Sequence, residues 1–251
     1  NAAVAHSSQG GTFRPHVDGE LLPKSPLEAA KLGLADGIPF LVGTQRDERR
    51  LFTHAQRSAR TAPGGSSAYV DLDDAGLISE VSKNIEVGHV QAIVDGYRQI
   101  LEDRGEPTDP VTVLSAIETG RTMRMPSIDL AEALSERDQP VYQYAFTKKS
   151  PWNGGILGAP HAILIGFLFG THAYSEKSAK FFGEGEAADT LSAHLQDAVI
   201  SLARTGNPRT DALADWVAYD TQTRSTAIFD TPVEVASAPF DEERILWSGR
   251  R

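Results

Sequence analysis

Residues 155–171 read GILGAPHAILIGFLFGT and place one ionisable side chain, His161, inside an apolar, glycine-rich run. The glycines and the proline before the histidine are typical of a loop, and catalytic groups are often carried on loops of a rigid scaffold. Taken alone, a histidine in such a run is more typical of a core residue whose ring binds a backbone carbonyl. The run alone therefore leaves a catalytic and a structural interpretation open.

Composition limits the classes of protein to which the chain can belong. Its 251 residues carry 34 acidic and 24 basic side chains, a formal charge of −10 that is spread along the chain and disfavours a nucleic-acid partner. Apolar residues make up 40 %, without a run long enough to span a membrane. The absence of cysteine excludes disulfides, a thiolate nucleophile and cysteine-ligated metals. We expect a soluble globular protein. Its cellular compartment is left undecided by the composition, with the cytoplasm slightly favoured.

Hydrophobic patterning predicts strands that alternate with long helices, which is typical of an α/β fold. The predicted strands cover residues 38–42, 140–146 and 226–230, and the predicted helices cover residues 89–104, 110–137 and 187–205. Pro126 should kink or divide the second helix, and Gly206 should end the third in a left-handed cap. Residues 61–68, TAPGGSSA, are interpreted as a flexible loop rather than a domain linker.

Glu48 follows the first predicted strand, where α/β sheets gather functional groups. A plain alternative is that RDERR, residues 46–50, is a solvated charge cluster at a helix start capped by Asp47 or Thr44. An acid that precedes a histidine in the chain is the order found in α/β-hydrolases, whose nucleophilic serine comes first in a G-x-S-x-G turn. This chain contains no G-x-S-x-G, and the nearest stretch, GGSSA, departs at its last position. It also contains no HGGG-like oxyanion loop.

Four segments occur in order between Phe13 and Trp247: FRPHVDGELLPKSPLEAAKLG, PFLVGTQRDERRLF, GILGAPHAILIGFLFGT, and SLARTGNP followed by DWVAYD. Together they resemble the type B carboxylesterases, which include para-nitrobenzyl esterases and cholinesterases. The resemblance implies that residues 1–251 are the C-terminal part of one α/β-hydrolase domain, with mostly parallel strands and flanking helices. The N-terminal half, which would carry the nucleophile and the oxyanion hole, is then expected as a partner, and this chain alone is expected to be inactive.

The resemblance also assigns roles to individual residues. Glu48 would be the acid of a Ser-His-Glu triad and His161 its general base, acting on a small-molecule ester without a metal or cofactor. Leu51, Phe52 and Ala162 match positions that contact substrate, although Leu51 and Phe52 are equally consistent with ordinary core. In chemical terms, His161 would relay the serine proton, while Glu48 would fix the ring tautomer and stabilise the imidazolium.

The chain departs from the family pattern at four positions around these residues. Ala162 replaces a glycine, Leu164 a second carboxylate, Arg49 a glycine and Gln45 an asparagine. Loss of the carboxylate at position 164 removes a hydrogen-bonding partner, so we expect a different polar network around the histidine.

Two other functions remain open at this stage. A non-catalytic binding or adhesion module of the same fold is favoured weakly by Ala162 and Leu164 and disfavoured by the retention of Glu48 and His161. A metallohydrolase has little support, because the other histidines lack HExxH-like spacing and most are expected at the surface: His6, His16, His54, His89, His172 and His194.

Overall fold

The computed structural model describes residues 15–53 and 72–250 and is built around a four-stranded sheet. The strands lie in the order β1-β2-β3-β4 and comprise β1 (Phe40–Gln45), β2 (Val141–Phe146), β3 (Ser225–Phe229) and β4 (Glu234–Ser237). The first three are parallel and β4 pairs with β3 in the antiparallel sense. The predicted α/β class with a mostly parallel sheet is confirmed.

Helices lie before, between and after the strands. They are α1 (Pro26–Lys31), α2 (Asp74–Ser82), α3 (Val87–Asp103), α4 (Pro110–Thr119), α5 (Met125–Ser135), α6 (Ile163–Leu168), α7 (Glu176–Phe182), α8 (Glu186–Thr205) and α9 (Asp241–Trp247). Side-chain caps begin several of them, because a carboxylate or hydroxyl oxygen accepts a free N–H of the first turn. Ser25, Asp73, Asp109 and Ser175 act in this way.

Most of the predicted elements begin and end close to the predicted residues. The helices α3 and α8 lie within two residues of their predictions, and Gly206 takes the expected left-handed conformation at φ +75°. The first strand was placed wrongly, since β1 runs to Gln45 rather than ending at residue 42. The predicted loop at residues 61–68 lies outside the described residues.

The predicted break at Pro126 takes an unexpected form. A π-helical turn, Gly120–Arg124, joins α4 to α5, and Pro126 lies in the first turn of α5. A proline is tolerated in the first turn of a helix, where its fixed φ suits the helical backbone. The wider turn still pairs a backbone N–H group with a carbonyl, since the N–H of Met125 donates to the carbonyl of Gly120.

Apolar side chains on both faces of the sheet hold these layers together. One cluster lies between the sheet and α6 and α8, and its largest members are Trp216, Phe146, Phe167 and Phe229. A second cluster packs α5 and α1 against the opposite face. A third joins α2, α3 and α4 to Trp247 of α9. Within the described ranges, no helix is long and apolar enough to cross a membrane.

The register of the sheet brings two connecting segments together. Gln45, the last residue of β1, pairs with Phe146, the last residue of β2. Because parallel strands end at the same edge, the turn after β1 lies against the loop after β2. Asp47 fixes this contact twice: its N–H donates to the carbonyl of Ala159 at 2.9 Å, and its Oδ2 accepts the N–H of Ala159 at 2.8 Å.

Candidate active site

Glu48 lies in the turn after β1 and is buried, with 4 % of the residue exposed. Its Oε1 accepts the backbone N–H of Gln45 at 2.9 Å. The side-chain amide nitrogen of Gln45 also faces this carboxylate, in the amide orientation that satisfies both of its polar atoms. Burial, and then the charge of Glu48, raise the pKa of the neighbouring Tyr144 to about 12, so this phenol stays neutral beside the acid.

His161 meets Glu48 directly. The imidazole Nδ1 lies 2.6 Å from Oε2 of Glu48, and the backbone N–H of His161 donates to the Glu48 carbonyl at 3.3 Å. The paired carboxylate favours the tautomer that carries its proton on Nδ1. The His161 side chain is 44 % exposed, and its Nε2 makes no hydrogen bond to any residue that the structure describes. The ring is therefore oriented on one side and open on the other.

The loop that carries His161 requires backbone conformations that favour glycine. Gly158 has φ +60°, and a Cβ there would lie 2.2 Å from Oδ2 of Asp47, the atom that binds the N–H of Ala159. Any side chain at position 158 would therefore displace the contact between the two site segments. Ala162, immediately after the histidine, also lies in the left-handed region, at φ +68°.

Ala162→Gly is expected to raise the free energy of unfolding by about 0.5–1 kcal/mol. Left-handed alanine is strained by about 1–2 kcal/mol, and the greater freedom of glycine in the unfolded chain offsets part of that gain. Urea denaturation of both proteins measures the difference. Ala193→Gly, on the exposed face of α8, is the control and should be destabilising by about 1 kcal/mol. Equal losses at the two positions would contradict the prediction.

The three residues predicted to contact substrate differ in how they lie relative to Glu48 and His161. Phe52 contacts the histidine, with ring centroids 5.4 Å apart and a tilt of 43°, while the guanidinium of Arg49 lies 4.9 Å from the Phe52 ring centroid. Leu51 is partly buried on the same helical turn. Ala162 adjoins His161 in the chain. Their role in binding substrate stays a prediction.

Two of the four departures have a clear local explanation. Leu164 is partly buried against the core cluster under α8, so this side chain serves packing rather than a polar network. Gln45 contributes both its backbone N–H and its amide to the Glu48 carboxylate. The acid thus gains partners from the end of β1 in a network that has no carboxylate at position 164.

A buried ionic network beside the turn was not predicted. Arg124 on the π-helical turn and Glu243 on α9 are 4 % and 1 % exposed and pair through Nη1 and Oε2 at 2.5 Å. Arg104 also donates to Glu243, at 3.0 Å, and Tyr97 donates to it at 3.1 Å. These residues are up to 146 positions apart in the chain, and no local sequence pattern signals such a pairing.

One of the histidines expected mostly at the surface is buried. His172 is 5 % exposed, stacks on Phe167 of α6 at 5.2 Å and binds Asp189 at 2.9 Å. Across residues 15–53 and 72–250, no group of three or more histidine, aspartate or glutamate side chains could hold a metal ion.

Comparison with known proteins gives the family. A model of the carboxylesterase family matches residues 2–247. The chain belongs to the carboxylesterase family. This carboxylesterase-family chain is 32 % identical to the para-nitrobenzyl esterase of Bacillus subtilis over 235 residues, which is 92 % of the chain and 42 % of that enzyme. It is 25 % identical to liver carboxylesterase 1 of mouse over 245 residues, covering 94 % of the chain and 40 % of that protein.

Solved structures agree with this family fold. The carboxylesterase EST55 of Geobacillus stearothermophilus superposes with a TM-score of 0.75 at 26 % identity, covering 97 % of the chain and 47 % of EST55. A structure of PNB esterase superposes with a TM-score of 0.69 at 27 % identity, covering 94 % and 43 %. The α/β-hydrolase fold is therefore shared, and the carboxylesterase-family chain spans less than half the length of these relatives.

Proposed function

We propose that this chain supplies the acid and the base of a Ser-His-Glu triad that hydrolyses carboxylic esters. The observation that carries the proposal is the Glu48–His161 pair, joined at 2.6 Å with the acid buried and the imidazole half exposed. A buried carboxylate behind a histidine holds the ring in one tautomer, while the open Nε2 is free to accept the proton of a hydroxyl nucleophile.

The reaction assigns a task to each side chain. Nε2 of His161 removes the serine proton as the hydroxyl attacks the ester carbonyl, and it returns a proton to the departing alcohol. Glu48 accepts the Nδ1–H throughout and stabilises the imidazolium while it exists. Water then attacks the acyl-serine with the same histidine as base. The tilted Phe52 ring beside His161 excludes water from one side of the base.

The nucleophile and the oxyanion donors are proposed to come from polypeptide that corresponds to the unmatched part of the relatives. The free edge of β1 supports this partner, because β1 pairs only with β2 among the described strands. Its residues Phe40 to Val42 are apolar yet only partly buried, whereas every residue of β3 is buried. A further strand on this edge would bury them and place new loops beside His161.

The substrate class follows from the chemistry and the relatives. One relative is named para-nitrobenzyl esterase, and another is named phenmedipham hydrolase. We propose a small carboxylic ester whose acyl or alcohol group contacts Phe52 and Leu51.

The test uses the longest natural polypeptide that contains this chain, or the chain together with its companion polypeptide. Treatment with a fluorophosphonate probe should label a serine outside this chain, and a short-chain para-nitrophenyl ester should be turned over. The 251-residue chain alone should do neither, because removal of a triad nucleophile lowers kcat by about 10⁶-fold. An unlabelled protein without turnover would overturn the proposal.

A non-catalytic binding module is the second candidate, and the observation in its favour is the departure at Ala162 and Leu164. In that case the upstream polypeptide should carry glycine or alanine in place of the serine. Its sequence decides between the two functions.

A further inference from the structure

We propose that Arg124 and Thr119 are positioning residues that hold the turn carrying Glu48, and thereby set the contact between Glu48 and His161. This inference rests on the proposed function for its kinetic consequence but not for its structural one. Thr119 ends α4 and Arg124 ends the π-helical turn, and both lie outside the acid-base pair itself.

The turn is held on both sides of Glu48. Nη2 of Arg124 donates to the carbonyl of Arg46 at 2.6 Å, two residues before the acid. The N–H of Arg49, one residue after the acid, donates to Oγ1 of Thr119 at 3.1 Å. The Thr119 hydroxyl donates in turn to the carbonyl of Ser115 at 2.8 Å, so its oxygen is oriented to accept. Nη2 of Arg124 and Oγ1 of Thr119 thus form a clamp on the turn, and both atoms belong to buried residues.

Arg124 is itself fixed from three directions. Its Nη1 pairs with Glu243, its planar group lies 4.0 Å from the ring centroid of Phe240, and its Nη2 is left to reach Arg46. Glu243 is held by the hydroxyl of Tyr97, which also accepts the indole N–H of Trp247 at 2.8 Å. A planar guanidinium can satisfy an acid and a carbonyl at once, which a point-charge ammonium does less well.

The backbone around Arg124 is shaped to allow this arrangement. A Cβ on Gly120 would lie 1.9 Å from the Tyr97 hydroxyl, so only glycine lets the π-helical turn approach that group. Widened turns of this kind are frequent at functional sites. Here the turn directs a buried arginine at the end of β1, the strand that leads into the acid.

Loss of the two bonds that hold the turn would change the distance between Glu48 and His161. A catalytic contact must be held within about 0.5 Å, and a shift of about 1 Å can lower the rate about 100-fold. Without the two flanking bonds, the four-residue turn 46–49 loses its attachment to α4 and the π-helical turn. Glu48 would then sample positions from which Oε2 no longer meets Nδ1.

Three variants test the clamp, each compared with Arg121→Met. Arg121 lies on the same π-helical turn but, among the described residues, pairs with Glu118 and not with the turn 46–49. The double variant Arg124→Met/Glu243→Leu removes the two most buried charges together, which costs less stability than the removal of one alone, and it deletes the bond to Arg46. Arg104, which also pairs with Glu243, keeps its pair with Glu242. Thr119→Val deletes the other bond, and Thr119→Ser restores its hydroxyl.

The first readout uses the 251-residue chain and needs no ester hydrolysis. The Nδ1–H proton of His161, bound to Glu48, should give a slowly exchanging NMR signal that Glu48→Gln abolishes. We expect this signal to broaden or vanish in the double variant and in Thr119→Val, and to persist in Thr119→Ser and Arg121→Met. Circular dichroism is used to check that each variant is folded. A sharp signal in the folded double variant would overturn the proposal for Arg124, and one in Thr119→Val would overturn it for Thr119.

The second readout is kinetic and uses the ester-hydrolysing form of the protein. A positioning role predicts that kcat falls about 10- to 100-fold while KM stays within about threefold. If the double variant does not fold, Arg124→Lys replaces it, since lysine keeps the charge beside Glu243 but lacks the second donor group. Unchanged kcat in Arg124→Lys together with an unchanged Nδ1–H signal would also overturn the proposal. Absence of ester hydrolysis in every form would refute the proposed function and leave the NMR test standing.

Discussion

Glu48→Gln is expected to lower kcat/KM for ester hydrolysis about 10⁴-fold, as the loss of a triad carboxylate does in related chemistry. Both carboxylate oxygens are already used as acceptors, Oε1 by the N–H of Gln45 and Oε2 by Nδ1 of His161. Glutamine offers one accepting oxygen and one NH₂ group. Whichever way the amide turns, an N–H donor faces another N–H or the imidazole is driven into the tautomer with its proton on Nε2. In that tautomer Nε2 cannot accept the serine proton.

The measurement is steady-state hydrolysis of a para-nitrophenyl ester by the ester-hydrolysing form of the protein. Glu102→Gln is the matched control, because Glu102 is exposed on α3 and should leave kcat/KM unchanged. Retention of more than a tenth of the activity in Glu48→Gln would show that Glu48 is not the acid of the triad.

Glu243→Gln is expected to lower the free energy of unfolding by about 3–5 kcal/mol, the usual range when one partner of a buried ion pair is removed. Glu243 is 1 % exposed and accepts hydrogen bonds from Arg104, Arg124 and Tyr97. The amide removes the negative charge and replaces one acceptor with a donor. The Arg124 guanidinium then stays buried without its counter-charge.

Urea denaturation of the 251-residue chain measures this loss. The neighbouring Glu242 offers a close control, because it pairs with the same Arg104 but its side chain is 47 % exposed. Glu242→Gln should change the free energy of unfolding by less than about 1 kcal/mol, as exposed ion pairs do. Similar losses in the two variants would mean that the Glu243 network adds little to stability.

The parts of the fold that follow from local patterns were predicted well. Helices α3 and α8 carry long apolar stripes and clear end signals, and β2 and β3 are compact apolar runs, so short-range physics fixes them. The β1 boundary was wrong because Gly43, Thr44 and Gln45 have no apolar signal and are held in the strand by pairing with β2. Strand β4 and the short helices α1, α2, α6, α7 and α9 were not predicted, since elements of at most nine residues carry little periodic signal.

Part of the candidate site could likewise be predicted from local sequence, and part could not. Glu48 and His161 could be named from loop position and family motifs, and the structure brings them together at 2.6 Å. The left-handed conformation of Ala162 could not be foreseen from alanine itself, because its backbone angles are imposed by the loop around it. The Arg124–Glu243 pair joins residues 119 positions apart and leaves no trace in either local sequence.

Among the strands that the structure describes, β1 pairs on one side only, and this has a consequence for the chain when it is isolated. Residues 40–45 read FLVGTQ, with neither a charge nor a proline to discourage intermolecular pairing. Natural sheets usually protect such an edge with lysine, proline, a bulge or a covering segment, because open backbone groups act as a template for aggregation. At high concentration, preparations of this chain by itself should therefore self-associate through β1, and Val42→Lys should keep them monomeric in sedimentation experiments.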